Sequence, residues 1–145
     1  MDRRSLTVSV LAVCGVLATV GCIPGETPEF LFATWHDATA SGQTGSGKWI
    51  PSDIPASAVD IHAKYAIDSL YTLVAFRLPD ASARHAPPRC KPIPADSVEF
   101  TTRPSAWWPT SMRSARGVQA GTVFFRCGEG EYFALVADRG YFWRH

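Results

Sequence analysis

The most suggestive spacing in the chain is Gly42-Gln43-Thr44-Gly45-Ser46-Gly47-Lys48, most of a phosphate-cradling loop. Such a loop works because backbone N–H groups wrap the phosphates, the lysine reaches them, and a Ser or Thr after the lysine holds magnesium. Trp49 occupies that last position, and Pro51 bars the helix that should follow. Residues 37–48 therefore read as a flexible Gly/Ser/Thr-rich loop, and no cofactor is expected. The histidines are His36, His62, His85 and His145. None forms an H-x-x-x-H or H-E-x-x-H pair, so no metal site is predicted. Asp60 and His62 share one face of a predicted strand, about 7 Å apart, where with Lys64 they read as a solvated polar face. No Gly-x-Ser-x-Gly elbow marks a nucleophile. Asp53, Asp60, Glu99, Glu129 and Glu131 could meet as an acid pair for glycoside hydrolysis, but no spacing singles out two of them. Glu129 and Glu131 are better explained as exposed residues flanking a turn. No catalytic residue is assigned.

Trp107-Trp108-Pro109 is the binding candidate. Adjacent side chains on an extended segment point opposite ways, so at most one indole is easily core. An exposed tryptophan anchors protein partners and sugar rings, while a buried one is ordinary.

Composition narrows the class. The formal charge is +1. Without Asp2, Arg3 and Arg4 it falls to zero, with 12 basic and 12 acidic residues. Nothing like a basic stripe points to nucleic acid. At the N-terminus Arg3 and Arg4 precede an uncharged, largely apolar run from Leu6 to Val20, too short for a membrane span and built like an export signal. The run ends in Val20-Gly21-Cys22, which resembles the bacterial lipobox, with Thr19 where leucine is usual. The resemblance implies a signal peptide over residues 1–21, cleavage before Cys22 and lipidation of its sulfur. It also implies a polar tether over 22–29. Ile23, in place of Asp after the cysteine, implies the outer membrane of a Gram-negative cell, on its periplasmic face. With Cys14 removed and Cys22 lipidated, Cys90 and Cys127 remain as an even pair in an oxidising compartment, and a disulfide is expected. Closing about 38 residues, it would contribute about 4 kcal/mol on the chain-entropy model.

The elements that would position these residues are mostly strands. Val59, Ile61 and Ala63 alternate with Asp60, His62 and Lys64, and a second alternation runs from Leu70 to Leu78. Together they predict an antiparallel hairpin at the core. Phe30–Trp35 reads as a first strand, Ser97–Thr102 as an edge strand, and 103–121 as loop. Asp80 would cap a short helix over 81–86, ended by Pro87-Pro88. Thr122–Cys127, Glu131–Ala137 and Tyr141–Trp143, joined by glycine turns, predict a three-stranded meander. The expected class is α+β, mainly antiparallel sheet with one short helix, forming a single domain over 30–145.

The block Ile54-Pro55-Ala56-Ser57-Ala58-Val59-Asp60-Ile61, with Phe76-Arg77-Leu78-Pro79 and the aromatic ending Ala134–Trp143, resembles small exported bacterial lipoproteins of an uncharacterised family. The resemblance implies a fold and an envelope location and brings no catalytic residues. The expected function is a non-enzymatic envelope protein that meets the membrane through Cys22 and binds a protein or glycan. The alternative is an envelope hydrolase working through carboxylates.

Overall fold

A computed structural model describes residues 27–145 except 46 and 68. The expected export signal over 1–21 and Cys22, the expected site of lipidation, lie outside the described residues. The described residues form one antiparallel sheet of seven strands, β1 (Glu29–Thr34), β2 (Val59–Ala66), β3 (Tyr71–Arg77), β4 (Lys91–Ile93), β5 (Val123–Gly128), β6 (Glu131–Val136) and β7 (Arg139–Arg144). Their order across the sheet is β1-β2-β3-β7-β6-β5-β4. The predicted hairpin is β2–β3, and the predicted meander is β5–β6–β7. They join where β3 pairs with β7 along its whole length.

Both faces of the sheet are covered, and period two sorts the side chains between them. Ile61, Ala63, Val74, Phe76, Phe133 and Phe142 fill one face. Helix α1 (Trp35–Ala40) and the 41–58 segment close over it, contributing Ala38, Ile50, Ile54 and Ala58. Leu73, Tyr132, Ala134, Tyr141 and Trp143 fill the other, beneath the 95–118 segment with Val98, Trp108 and Met112. Burial on both sides explains why β3 and β7 are apolar on alternate and intervening positions alike. Gly140 is fixed by this packing, because the Phe76 ring lies where a Cβ would stand.

The expected α+β class is overturned: the fold is mainly β. The helix expected over 81–86 is one 3₁₀ turn, Ala81–Ala83. Asp80 caps it as anticipated, accepting from the Ser82 N–H, but Arg84 turns back to donate to the Leu78 and Pro79 carbonyls, and the segment cannot elongate. The α-helix present, α1, lies partly in the expected loop. Its signature is a capping box, with Thr34 accepting from the Asp37 N–H at 3.2 Å and Asp37 accepting from the Thr34 N–H at 3.0 Å. The expected edge strand over 97–102 is not a strand either. The edge is β4, in a proline-containing stretch that reads as loop; proline is tolerated there because an edge has an outward N–H to spare.

Cys90 and Cys127 are bonded to each other, tying the start of β4 to β5.

Candidate functional site

β1 lies at one end of the strand order, so its outer side faces no described strand. The ladder fixes which groups that side presents. The Pro28 carbonyl accepts from the Tyr65 N–H, and in an antiparallel pair inward and outward backbone groups alternate. Phe30 and Phe32 therefore bond to β2, while the N–H and C=O of Leu31 point outward. Phe30 and Phe32 pack their rings on the α1 face of the core. Leu31 falls on the other face and is 72% exposed.

Beside Leu31 sits a built cluster. Leu31 lies opposite His62 on β2, and Glu29 opposite Lys64. The Trp107 indole stacks on the His62 ring, centroids 4.2 Å apart and planes 14° from parallel. Its N–H donates to Glu29 at 3.2 Å, the Ser105 hydroxyl donates to the same carboxylate at 3.0 Å, and Lys64 lies 3.1 Å away. Burial pushes the Glu29 carboxyl up, but these donors and the Lys64 charge outweigh it, and the net shift is downward. Burial under the indole lowers the His62 imidazole, against the pull of Glu29, so it is neutral at neutral pH. The cluster is thus a fixed wall: a neutral stacked ring pair above a held carboxylate.

The two tryptophans part as adjacent residues must. Trp108 is 1% exposed, with its N–H on the Met112 carbonyl at 3.0 Å and its ring edge-on to Tyr141 and Trp143. Trp107 is half-buried. Asp60 adopts φ 50° at a bulge in the β2–β3 register and turns to Arg77 at 2.9 Å.

A second concavity, about 330 Å³, is lined by Gly45, Gly47, Lys48, Asp53, Arg89, Glu131 and Arg144, among others. Sequence reading missed it. Arg89 donates to Asp53 and to Glu131, each at 2.7 Å, and to the Cys127 carbonyl; Arg144 reaches the other Glu131 oxygen at 3.2 Å. Glu131 is therefore a bridging carboxylate rather than an exposed turn residue. Asp53 first, then Glu131, holds the Arg89 guanidinium more firmly protonated than usual. Arg89 and Arg144 in this cleft are each matched by a carboxylate, as in a structural clamp. The glycine loop follows α1, not a strand, and returns through a Thr44–Ile50 bridge without a helix after it, so it lacks the frame of a phosphate loop. Among the described residues, no three His, Cys, Asp or Glu side chains gather as metal ligands would.

The described residues form a small antiparallel sheet with a shaped wall beside β1, whose outer side faces no described strand. Residues 26–77 match the family model described as the YbbD head domain, about a third of the chain. The match takes in β1, α1 and the β2–β3 hairpin and stops before β4, so the β1 edge lies inside it and the meander outside. No curated protein and no solved structure matches the chain.

Proposed function

We propose that this is a bacterial envelope lipoprotein, moored through Cys22, that acts without catalysis by taking an extended segment of a protein partner on the free edge of β1. The carrying observation is the outward N–H and C=O of Leu31 beside its exposed side chain. An edge strand offers main-chain hydrogen bonds to an added strand, and side chains alternate into whatever wall lies next to it. Here the wall is His62 and Trp107. The likeness to the YbbD head domain supports a bacterial setting, and the disulfide supports an oxidising compartment.

Between a protein and a glycan, the geometry favours a protein. Trp107 already stacks one ring face on His62 and commits its N–H to Glu29, so it shapes the wall rather than offering a bare platform for a sugar. Against the hydrolase alternative stands the pairing of Asp53 and Glu131 with one guanidinium. A general acid needs a carboxyl pushed up, and the carboxyls that move, Glu29, Asp80 and Glu99, all move down.

The test is a photo-crosslinking amino acid at position 31 in the intact chain in cells, with position 91 on β4 as control. A protease-sensitive adduct at 31 alone is expected. With the purified partner, the Leu31 amide should gain protection in hydrogen exchange. Equal adducts at both positions, or binding without protection at Leu31, would reject strand addition.

A further inference from the structure

We infer that the segment added to β1 carries two aromatic side chains at positions i and i+2, set against Phe30 and Phe32, with a freely variable residue between them opposite Leu31. The inference rests on the strand addition of the proposed function and names the chemistry of the partner. Neighbouring strands of the described sheet are all antiparallel, and an added strand of the same sense continues that ladder. Phe30 and Phe32 spend their backbone bonds on β2, so the residues opposite them on an added strand form the closely spaced, non-hydrogen-bonded pairs. In such pairs Cα atoms approach to about 4.5 Å and side chains meet most closely. The residue opposite Leu31 exchanges both backbone bonds with it at the wider spacing of about 5.5 Å, and its side chain falls on the other face. Main-chain bonding and side-chain selection therefore fall on different residues of the partner.

The surface that meets those two side chains is aromatic and held in place. Phe30 and Phe32 are half-buried, their rings 6.0 Å apart and within 4° of parallel. Tyr65 stacks on Phe30 at 5.4 Å and Trp49 on Tyr65 at 4.3 Å, so four near-parallel rings form one column on the α1 face. The Tyr65 hydroxyl donates to the Gln43 side chain at 3.2 Å, which pins the column from the loop side. Rings fixed by one another lose little freedom when a partner docks. Beyond Phe30 and Phe32 the sheet has no further described strand, so the column stops at the rim of β1. Aromatic cross-strand pairs are among the favourable ways to continue it. Charge does not compete. Phe30-Leu31-Phe32-Ala33 is uncharged, Glu29 is taken up by Lys64, Ser105 and Trp107 on the other face, and Asp37 is spent on the Thr34 cap. This stretch selects by apolar contact.

The test uses the full chain as a bacterium processes it and the fluorescein-labelled peptide Lys-Thr-Phe-Thr-Phe-Thr-Lys, read by anisotropy and by hydrogen exchange at Leu31. The control peptides keep its charge: serine for both phenylalanines, the two phenylalanines moved to adjacent positions, and N-methylation of the central threonine. Expected are binding of the first peptide with protection of the Leu31 amide, roughly tenfold weaker binding of the serine and adjacent-phenylalanine peptides, and none of the N-methyl peptide. Phe30→Leu/Phe32→Leu should erase the preference for phenylalanine over serine with circular dichroism unchanged. Equal affinity of the three unmethylated peptides, with the N-methyl peptide still excluded, overturns the aromatic pattern and leaves strand addition standing. Binding of the N-methyl peptide, or binding without protection at Leu31, overturns strand addition and the pattern with it. A preference that survives in the double leucine variant overturns the assignment to Phe30 and Phe32. No binding of the first peptide at millimolar concentration overturns the pattern, and the adduct at position 31 then judges the edge alone.

Discussion

The two edges of the sheet are opposites. β4 is three residues long, carries Lys91 and Pro92, and is fastened by the disulfide just before it and by Arg89 to Asp53 and Glu131. β1 is six residues long with neither proline nor lysine, and its central leucine is exposed. Short length, proline and lysine are devices that stop one sheet pairing with another. One edge has all three and the other has none. The difference is what the proposed strand addition needs: of the two end strands of the described sheet, β4 carries the devices that block pairing and β1 does not.

The largest effect separates the edges by covalent means. Cys90→Ser/Cys127→Ser should cost about 4 kcal/mol, from the loop it reopens, read as a lower urea midpoint. Hydrogen exchange should quicken at β4 and β5, with β1 unchanged and adducts at position 31 retained. Loss of those adducts in a folded variant would mean the edges are not independent. Next comes the wall. Trp107→Ala removes a half-buried indole from His62 and Trp108 and should cost roughly 2 kcal/mol, about half of what a fully buried tryptophan costs. Partner affinity should fall with it, and a variant that binds normally would confine recognition to the backbone of β1.

Much of this was legible in the sequence, and the failures have causes. The β2–β3 hairpin and the meander show because period two survives wherever one or both faces are buried. Even there the bulge at Asp60 stayed hidden, since it shifts the register without altering the pattern of types. β4 was hidden by Pro92 and Pro94, which argue against any central strand and are silent about an edge. α1 was hidden by short length, although Thr34-x-x-Asp37 was a usable cap signal. The 81–86 segment had a true cap and still made one turn, because Arg84 captures the Leu78 and Pro79 carbonyls. The site was half visible. Trp107 and Trp108 stood out by type, but only the three-dimensional arrangement tells which is core. His62 looked solvated because Trp107 reaches it across 45 residues, and the Arg89 clamp joins positions 53, 89 and 131, which no local spacing links.

Exchanging the edges' chemistry is a smaller test in stability and a sharp one in function. Leu31→Lys should change stability by no more than about 0.5 kcal/mol, since the side chain is exposed and the ladder is kept. It should nevertheless abolish the partner's protection of the edge. Lys91→Val/Pro92→Val restores an N–H and removes a charge on β4, and should produce concentration-dependent self-association by light scattering. A monomeric double variant would show that length and fastening alone guard that edge.

The smallest effect is a slope. His62 has a folded pKa below its ordinary 6.5, mainly from burial under Trp107. Below that value the unfolded chain takes up the proton before the folded one does, so stability falls with falling pH. The contribution is whole above about pH 6.5 and is lost as pH drops toward the folded value. His62→Gln should flatten the difference in urea midpoint between pH 7 and pH 5.5 and leave other pH regions parallel to wild type. Trp107→Ala should flatten the same interval, because it removes the cover rather than the imidazole. If the glutamine variant flattens it and the alanine variant does not, something other than the indole buries His62. The wall beside β1 would then have to be redrawn without that stack.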